Sequence, residues 1–483
     1  MKKTLTLFIL AAMIVSSVSC GSESPDMTEG TTDSATDVTT TTEALTGREA
    51  VSDDLPDIEF NKDFTILTRN DYDYELNTES SGDVLDDALY DRNRVVEERF
   101  DVTIKTVSMD ATWPSTDFNS NLQASIMAGD GAYDLVAGYA ASITKLVGEG
   151  LFIDWNTMKY NDFSKPWWSS QIADEMNIGG KCFLVTGDAS LALWKNMRCM
   201  LFNKRLADDY NTPDLYEIVK SGDWTFDKLI EVTKDVYQDL DGDGKKSDGD
   251  IYGYITGWST AVDNLKEAFE IRVTTKGDDG FPEMSLVNER TIEAIQRVNS
   301  FFNDGDAVLF TQEFCEKSGE HFSNGQGLIA SSILGEVNIL RSMKDDFGII
   351  PYPKYDSEQE NYHSTSLDEF TLFVIPNDAK DPDMTSIILE ALSAESYKQV
   401  IPVYYDVALK TKGARDDQSA EMIDIIRDEL TFDFGYLNSS ALSYAGQLWV
   451  TLIRNNNNNI VSEYATRQAA YEKNLAALLE VYR

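Results

Sequence analysis

The sequence predicts an α/β fold divided into more than one domain. The chain has 483 residues, which is too many for one ordinary hydrophobic core. Hydrophobic residues make up 42% of the chain and aromatic residues 11%, enough to build sizeable cores. From Phe60 onward, strand-like and helix-like stretches alternate. This order is typical of mostly parallel sheets with helices packed on their faces.

The first 19 residues have the features of a secretory signal peptide. A positively charged start is followed by an apolar run from Leu5 to Val15, which is too short to span a bilayer stably. Small residues then precede Cys20, as in a bacterial lipobox, although Ser17 stands where such boxes usually carry Leu. We therefore expect Cys20 to be diacylated and to become the new N-terminus. The alternative is ordinary cleavage near Ser19, which leaves a free thiol.

Residues 20–55 are predicted to form a disordered acidic tether. The segment is rich in Thr, Ser, Asp and Glu, and no aromatic residue occurs between Phe8 and Phe60. Such a composition cannot bury enough apolar surface to fold. We expect the tether to hold the globular part at the extracellular face of the cytoplasmic membrane. The lipid would be its only attachment, because no later segment is apolar and long enough to span the bilayer.

Charge and histidine content exclude some classes of function. Acidic residues outnumber basic ones by 83 to 41, giving a formal net charge of -42. This argues against nucleic acid, whose phosphates need a basic face, and against adhesion to anionic lipid by charge. The chain has only two histidines, His321 and His363, and no nucleophile elbow, phosphate loop or zinc motif. We therefore expect a protein that is not an enzyme.

The N-terminal part of the globular chain is predicted to begin with a β-α-β-α-β unit. Apolar residues follow helical spacing over 84–100, with charged residues on the opposite face. In parallel sheets ligands sit beyond the carboxyl ends of the strands, which places 134–139 near a site. The predicted elements are strand 63–68, helix 84–100, strand 101–107, helix 121–128 and strand 133–139.

A second α/β set follows residues 179–188. A helix over 224–240 is predicted to begin with Thr225 as its N-cap. The other predicted elements are a strand entering a helix over 200–210, a strand over 368–376, a helix over 384–394, and helical structure over 441–483 that is interrupted by the five asparagines 455–459.

The sharpest local motif resembles the calcium loop of an EF-hand. Oxygen-bearing residues occur at alternate positions, and Gly244 provides the turn at position 6. This pattern wraps a hard cation, so we expect a structural Ca²⁺; the alternative is an acidic surface turn without metal. Positions 1, 3, 5, 7, 9 and 12 of the loop are Asp239, Asp241, Asp243, Lys245, Ser247 and Asp250.

Three further cysteines lie in the globular part, Cys182, Cys199 and Cys315. Their spacing matches no metal motif. The sequence leaves open whether Cys182 and Cys199 form a disulfide or remain buried free thiols.

Several motifs occur in an order that resembles the extracellular solute-binding proteins of carbohydrate ABC importers, the family that includes maltose-binding proteins. The resemblance covers about residues 56–483. The motifs are RNRVVEERFDVTI (92–104), YDLV (133–136), LVGEGLFIDW (146–155), FNKRLADDY (202–210), WTFDKLIE (224–231), DLDGDG (239–244) ahead of IYGY (251–254), and FGIIPYPK (347–354).

The resemblance implies a two-lobed periplasmic-binding-protein-like fold of class II, in which each lobe has a central, mostly parallel sheet flanked by helices. Lobe one would comprise 56–192 and 370–403, and lobe two 197–366 and 410–483. Solute would bind between the lobes, and an ABC permease would read the closed form. A monomer is expected. The chain would cross between the lobes near Ala189–Asn203, Leu367–Phe373 and Tyr404–Leu409.

Candidate ligand residues follow from the chemistry of sugars and from the resemblance. Aromatic rings stack on the apolar faces of sugars, while charged and amide side chains bind the hydroxyl groups. Trp449, followed five residues later by Arg454, matches a stacking Trp and its Arg in maltose-binding proteins. The full predicted set is Arg69, Asn70, Tyr139, Trp194, Trp258, Glu336, Asp368 with its neighbour Glu369, Trp449 and Arg454.

Other functions stay open at this stage. The same fold could bind a peptide or an amino acid, and the aromatic content favours sugars only modestly. The many acidic residues would also allow a carboxylate-based glycosidase. A structural or adhesive surface lipoprotein that uses the calcium loop is a further alternative.

Overall fold

The computed structural model describes residues 47–112, 115–258, 260–311, 316–409 and 417–483. The predicted signal peptide, Cys20, most of the tether and Cys315 lie outside the described residues. Within the described part of the chain, no helix combines the length and the apolar character needed to cross a bilayer.

The strands of the described chain form two larger sheets and one hairpin. Their bounds are β1 (Lys62–Arg69), β2 (Val102–Met109), β3 (Leu135–Tyr139), β4 (Arg198–Asn203), β5 (Tyr237–Gln238), β6 (Ile251–Gly257), β7 (Thr274–Lys276), β8 (Pro282–Met284), β9 (Val308–Thr311), β10 (Gly327–Ile333), β11 (Phe347–Ile350) and β12 (Thr371–Val374).

The helices of the described chain alternate with these strands. They are α1 (Val84–Phe100), α2 (Asp117–Ala128), α3 (Ala140–Ile143), α4 (Ser170–Met176), α5 (Leu191–Lys195), α6 (Lys204–Asp209), α7 (Leu215–Lys220), α8 (Phe226–Thr233), α9 (Thr260–Ala268), α10 (Glu289–Asp304), α11 (Glu316–Ser323), α12 (Pro382–Glu395), α13 (Ile401–Leu409), α14 (Asp417–Asp428), α15 (Phe434–Leu437), α16 (Leu448–Arg454), α17 (Ile460–Ala465) and α18 (Gln468–Leu479). A π-helical turn, Ser396–Val400, joins α12 to α13.

The first sheet has the strand order β12-β3-β1-β2. β1 runs parallel to both β2 and β3, whereas β12 is antiparallel to β3. The carboxyl ends of β1 and β3, at Arg69 and Tyr139, therefore lie at the same edge of this sheet. Its interior residues are fully buried, as in Phe64, Ile66 and Leu135. We call this sheet and its helices lobe one.

The second sheet has the order β11-β4-β10-β6-β5, with β9 also paired to β6. β6 is parallel to β9 and β10, but β4 is antiparallel to both β10 and β11. The sheet is therefore mixed rather than mostly parallel. The reason lies in β4, which carries the chain away from the first sheet while β10 runs back toward it. We call this sheet and its helices lobe two.

Two chain segments pass side by side between the sheets. Crossing one (189–197) contains α5 and leads into β4, and crossing two (364–370) leads from lobe two into β12. Arg198 donates its N–H to the carbonyl of Thr365 at 3.0 Å, and Leu367 donates to the carbonyl of Asn196 at 2.9 Å. The crossings that the resemblance implies near Ala189–Asn203 and Leu367–Phe373 overlap these two segments.

The C-terminus contacts both lobes. Residues 468–483 were expected in lobe two, and α18 packs on β8, in the stretch expected in lobe two, as well as on 144–149 of lobe one. Tyr482 is 1% exposed, with its ring centroid 5.1 Å from that of Phe183. Lys181 Nζ donates to the carbonyl of Val481 at 2.9 Å. Phe434, in the stretch expected in lobe two, also covers this ring, with centroids 6.1 Å apart, so the C-terminus bridges the two lobes.

The end of the tether corrects the predicted bounds of the disordered segment. Residues 47–55, which the composition assigns to the tether, are docked on lobe one; we call them the strap. Asp53 accepts two hydrogen bonds from the guanidinium of Arg99. Lys165 Nζ donates to the carbonyl of Ser52 at 2.9 Å, and Arg48 Nη1 donates to that of Tyr397 at 3.0 Å. The strap is ordered because its polar groups find charged partners far away in sequence.

Two smaller expectations are decided by the structure. Cys182 and Cys199 are buried free thiols, and burial raises the pKa of Cys182 to about 12. Thr225 is the N-cap of α8, as predicted, since its hydroxyl accepts the N–H of Lys228 at 3.3 Å.

Candidate functional site

The candidate site lies where the carboxyl ends of strands from both lobes meet the crossings. In lobe one these are the ends of β1 and β3, and in lobe two the ends of β6 and β10. Open α/β sheets present their ligand sites at such ends. We call this region the inter-lobe site.

Arg69 organises the lobe-one side. It is 1% exposed, and its Nη2 donates to the carbonyl of Glu369 at 2.6 Å. Its guanidinium lies 4.0 Å from the ring centroid of Tyr72 and 5.0 Å from that of Tyr139. Tyr72 donates its hydroxyl to Glu369 Oε2 at 3.0 Å. The guanidinium of Arg69 thus orients the rings of Tyr72 and Tyr139 and also binds crossing two through Glu369.

The acidic pair Asp368–Glu369 stands at the centre of the site. Burial and the neighbouring charge of Glu369 raise the pKa of Asp368 to about 6, against the opposing effect of Arg198. Burial, with Asp368 and Glu369 adding to it, also raises the pKa of Tyr139. Charged and polar groups from both lobes therefore surround Asp368 and Glu369. Tyr139 ends β3 of lobe one, and Arg198 begins β4 of lobe two.

Asp263 and Tyr436 form the lobe-two side. Asp263 lies in α9, directly after the end of β6, and is 5% exposed. Tyr436 donates its hydroxyl to Asp263 Oδ2 at 3.3 Å, and Oδ1 has no hydrogen-bond partner among the described residues. Burial raises the pKa of Asp263 to about 7, although Lys266 opposes the shift. A buried acceptor without a partner is a group that a ligand hydroxyl could satisfy.

Trp258 and Arg454 supply an aromatic face. The guanidinium of Arg454 lies 3.8 Å from the ring centroid of Trp258. Trp258 is half-buried and Arg454 is exposed. The two residues are 196 positions apart in the sequence, and α16 brings Arg454 to the segment that follows β6. The structure therefore brings this predicted pair together.

Trp449 does not belong to the site in this structure. The side chain is 0% exposed, and its indole N–H donates to the carbonyl of Val262 at 3.0 Å. The physical reason is that α16 packs on α9, which turns this ring into the core of lobe two. Its predicted role as a stacking platform is therefore corrected to core packing.

The other predicted residues lie around the crossings. Trp194 in crossing one is half-buried and packs edge-on against Tyr405, with centroids 6.0 Å apart. Asn70 is exposed and extends the pairing of β1, donating its N–H to the carbonyl of Met109 at 3.0 Å. Glu336 follows β10 and accepts the hydroxyl of Ser332 at 2.7 Å. Nothing in these contacts joins Trp194 or Glu336 directly to Asp368.

Sequence reasoning missed four residues of this site: Tyr72, Arg198, Asp263 and Tyr436. Asp263 had a usable signal, because an acidic residue in the first turns of a helix after a buried strand occupies the ligand edge of a sheet. Tyr436 had none, since it reaches Asp263 across 173 positions.

The predicted calcium loop brings three of its carboxylates together. Ligand atoms of Asp239, Asp241 and Asp243 lie within 4.8 Å of one another. Asp239 accepts the N–H groups of Gly242 at 2.6 Å and Gly244 at 2.7 Å, which curls the loop around these oxygens. Three carboxylates at this spacing suit the oxygen preference of Ca²⁺.

Asp250, predicted at position 12, lies outside this group. It is 1% exposed, and its carboxylate accepts hydrogen bonds from Ser247 N at 2.8 Å, Leu240 N at 3.1 Å and the Tyr237 hydroxyl at 3.2 Å. Asp250 therefore joins the two ends of the loop by accepting hydrogen bonds from protein groups. These bonds hold its short side chain away from the three converging carboxylates. Lys245 N donates to Asp243, so this residue also supports the curl.

A separate cavity of about 580 Å³ lies at the opposite edge of the first sheet. Its lining includes Lys62, Thr65, Asp134 and Met384. Because Lys62 and Thr65 lie at the start of β1, this cavity is remote from the strand ends that define the inter-lobe site.

No protein-family model and no curated protein matches the sequence. Solved structures do resemble it. A cyclo/maltodextrin-binding protein complexed with maltotetraose gives a TM-score of 0.54 at 12% identity, covering 87% of this chain and 96% of that chain. An ABC substrate-binding protein from Listeria monocytogenes in complex with cycloalternan gives 0.50 at 12%, covering 87% and 98%.

A third neighbour, an ABC transporter solute-binding protein from Thermotoga lettingae bound with α-D-tagatose, gives a TM-score of 0.51 at 12% identity, covering 86% of this chain and 100% of that chain. At this identity the likeness shows the fold. The expected two-lobed α/β fold of solute-binding proteins is confirmed.

Proposed function

We propose that this chain captures a carbohydrate, and specifically an oligosaccharide, between its two lobes and delivers it to an ABC permease. The observation that carries the proposal is that one short stretch of lobe two presents a half-buried indole, Trp258 under Arg454, and the buried carboxyl group of Asp263, while crossing two adds the half-buried Asp368. An indole stacks on the apolar face of a sugar, and carboxyl oxygens accept its hydroxyl protons. The sugars held by proteins of the same fold support the choice of ligand.

The crossings provide a way to couple binding to lobe closure. A ligand that contacts Arg69 and Tyr139 in lobe one and Asp263 in lobe two makes both sets of contacts only when the lobes approach. Its binding energy then favours the closed form. We propose capture and release without catalysis, which the binding proteins of the same fold support. Intact oligosaccharide after prolonged incubation with pure protein is the expected result.

We also propose that Cys20 carries the lipid and that the protein acts as a monomer at the extracellular face of the cytoplasmic membrane. The lipobox-like sequence before Cys20 supports this location. Expression of wild type and Cys20→Ala in a bacterial host tests it: wild type should fractionate with membranes and Cys20→Ala should appear in the medium. Light scattering of the protein lacking residues 1–46 should give the monomer mass.

A ligand screen tests the carbohydrate proposal. Purified protein is melted in the presence of mono- and oligosaccharides, with peptides and amino acids as the competing classes. A ligand that binds only the folded state at 100 times its Kd stabilises by about 2.7 kcal/mol, which is readily seen as a higher Tm. A shift with oligosaccharides supports the proposal. A shift with peptides alone would replace the ligand class.

Finally, we propose that Asp239, Asp241 and Asp243 hold a structural Ca²⁺. The positive charge of the ion would balance the negative charges of these three neighbouring carboxylates. Backbone N–H groups that bind Asp239 curl the loop and keep the carboxylate oxygens close together. Because the loop precedes β6, the ion would stabilise lobe two without contacting the ligand.

A further inference from the structure

Glu75 is a buried carboxylate that binds both crossings. It ends the short 3₁₀ turn Asp73–Glu75 after β1 and is 1% exposed. Its Oε1 accepts the N–H of Ala192 at 2.5 Å and the hydroxyl of Ser190 at 3.1 Å, both in crossing one. Its Oε2 accepts the hydroxyl of Thr371 at 2.6 Å, at the point where crossing two enters β12.

The geometry fixes Oε1 of Glu75 as a hydrogen-bond acceptor. Ser190 Oγ accepts the N–H groups of Thr371 at 3.2 Å and Leu193 at 3.4 Å, so its own proton is directed to Glu75. The N–H of Ala192 and the hydroxyl of Ser190 therefore both donate to Oε1, whereas the Thr371 hydroxyl can donate to Oε2 or accept from it. Burial raises the pKa of Glu75, and these hydrogen bonds oppose the shift. The buried guanidinium of Arg92 donates to the backbone carbonyl of Glu75 and offsets the charge.

Neighbours of Glu75 hold the same two segments. Tyr74 accepts a hydrogen bond from Lys195 Nζ at 3.1 Å, and Tyr72 accepts one from Asn196 Nδ2 at 3.3 Å. Arg69 binds the carbonyl of Glu369. Residues 69–75 thus contact crossing one and crossing two repeatedly; we call this stretch the clasp.

We infer that Glu75 is a positioning residue that fixes the lobe-one ends of both crossings, so that lobe two rotates about the stretches beyond them, 197–198 and 364–367. The inference rests on the proposed function. Because Trp194 and the acidic pair Asp368–Glu369 lie in the stretches that the clasp holds, Glu75 also sets these groups relative to Arg69.

The test is Glu75→Gln, which keeps the size of the side chain but turns one acceptor into a donor. Probes placed by Met127→Cys in α2 and Val461→Cys in α17, residues that are 75% and 53% exposed, report the distance between the lobes. We expect Glu75→Gln to broaden the distance distribution without ligand. We expect it to weaken binding of the sugar found in the screen about tenfold, or 1.4 kcal/mol.

Matched variants separate positioning from stability. Glu79→Gln, at an exposed glutamate of the same loop, should behave as wild type. Thr371→Val and Ser190→Ala each remove one donor while the carboxylate stays, and should shift distance and affinity in the same direction by a smaller amount. They also serve as the test if Glu75→Gln does not fold.

A lower Tm with wild-type distances and affinity would assign Glu75 a purely structural role and overturn the inference. Failure of the proposed function looks different: wild type would bind no carbohydrate. The distance distributions of the unliganded proteins would still decide the role of Glu75 in that case.

Discussion

The guanidinium of Arg454 lies over the indole of Trp258, with 3.8 Å between its central carbon and the ring centroid. A cation at this distance is attracted to the ring face and restricts the orientation of the indole. The contact joins the start of α9 in lobe two to the end of α16. An oriented, half-buried indole is well suited to stack on a sugar ring.

Trp258→Ala should lower affinity for the sugar about 10- to 100-fold, because the stacking face is lost while little core packing changes. Trp449→Phe is the matched control in the same lobe. It should leave affinity unchanged but lower the free energy of unfolding by about 1–3 kcal/mol, since Val262 loses its indole donor. Calorimetry and thermal melts measure both effects. Wild-type affinity in Trp258→Ala would remove this residue from the site.

The two tryptophans show what the sequence can and cannot predict. Many strands and helices were predictable because hydrophobic periodicity is local. The helix predicted over 224–240 was too long, since α8 ends at Thr233 and strand β5 follows it. Trp258 and Trp449 look alike in sequence, but only the packing of α16 on α9 decides that one ring is half-buried and the other fully buried. Tyr436 could not be predicted for the same reason, because its contact with Asp263 joins residues that are distant in the chain.

The acidic strap shows a related limit. Composition predicts disorder from the average properties of a window, and residues 47–55 lack aromatic residues, as the preceding tether does. Ordering depends on individual partners such as Arg99 and Lys165, which composition does not reveal.

Asp263 should make the unliganded protein less stable as the pH rises. Its pKa is about 7 in the folded state and near the ordinary value of 3.8 when unfolded, so between these values the folded state binds more protons. Stability therefore falls as pH rises from about 4 to about 7.

Asp263→Asn should remove this loss and raise the free energy of unfolding at pH 8 by about 1–4 kcal/mol, while affinity for the sugar falls. Denaturant melts across this pH range provide their own control, because wild type and variant should converge near pH 4. Parallel pH profiles for the two proteins would contradict the prediction.

Asp53 should stabilise the docked strap at neutral pH. Burial alone would raise its pKa, but the hydrogen bonds from Arg99 and from the N–H of Leu55 lower it below the ordinary value. A lowered pKa contributes stability above about pH 4 that is lost as pH falls further. Asp53→Asn should therefore cost about 1–3 kcal/mol at pH 7.

Asp63→Asn provides the comparison for the strap. Asp63 pairs with Lys105, but both side chains are more than half exposed, so the change should stay within about 0.5 kcal/mol. Limited proteolysis near Gly47 should become faster in Asp53→Asn only. Equal cleavage rates in the two variants would mean that the ion pair does not hold the strap.

The proposed Ca²⁺ should appear as a metal-dependent Tm. Adding EDTA should lower the Tm of wild type, and Ca²⁺ should restore it, because the ion binds the folded loop. Asp241→Asn removes one of the converging carboxylates and should abolish the response, whereas Asp248→Asn, in the same loop but outside the group, should retain it. Sugar affinity should be unchanged throughout. A wild-type Tm that ignores both EDTA and Ca²⁺ would leave the loop as an acidic turn.

Gly187, just before crossing one, should not tolerate a side chain. A Cβ at this position would lie 2.2 Å from the carbonyl oxygen of Trp167, a backbone atom that also accepts the N–H of Asp188 at 2.8 Å. Relief requires the backbone at the start of crossing one to move, so Gly187→Ala should cost about 1–3 kcal/mol. Gly148→Ala is the matched control, because its Cβ would meet Leu478 at an ordinary 3.6 Å. Urea melts measure the stability of both variants. Equal stability would mean that close packing against Trp167 does not hold the start of crossing one in place.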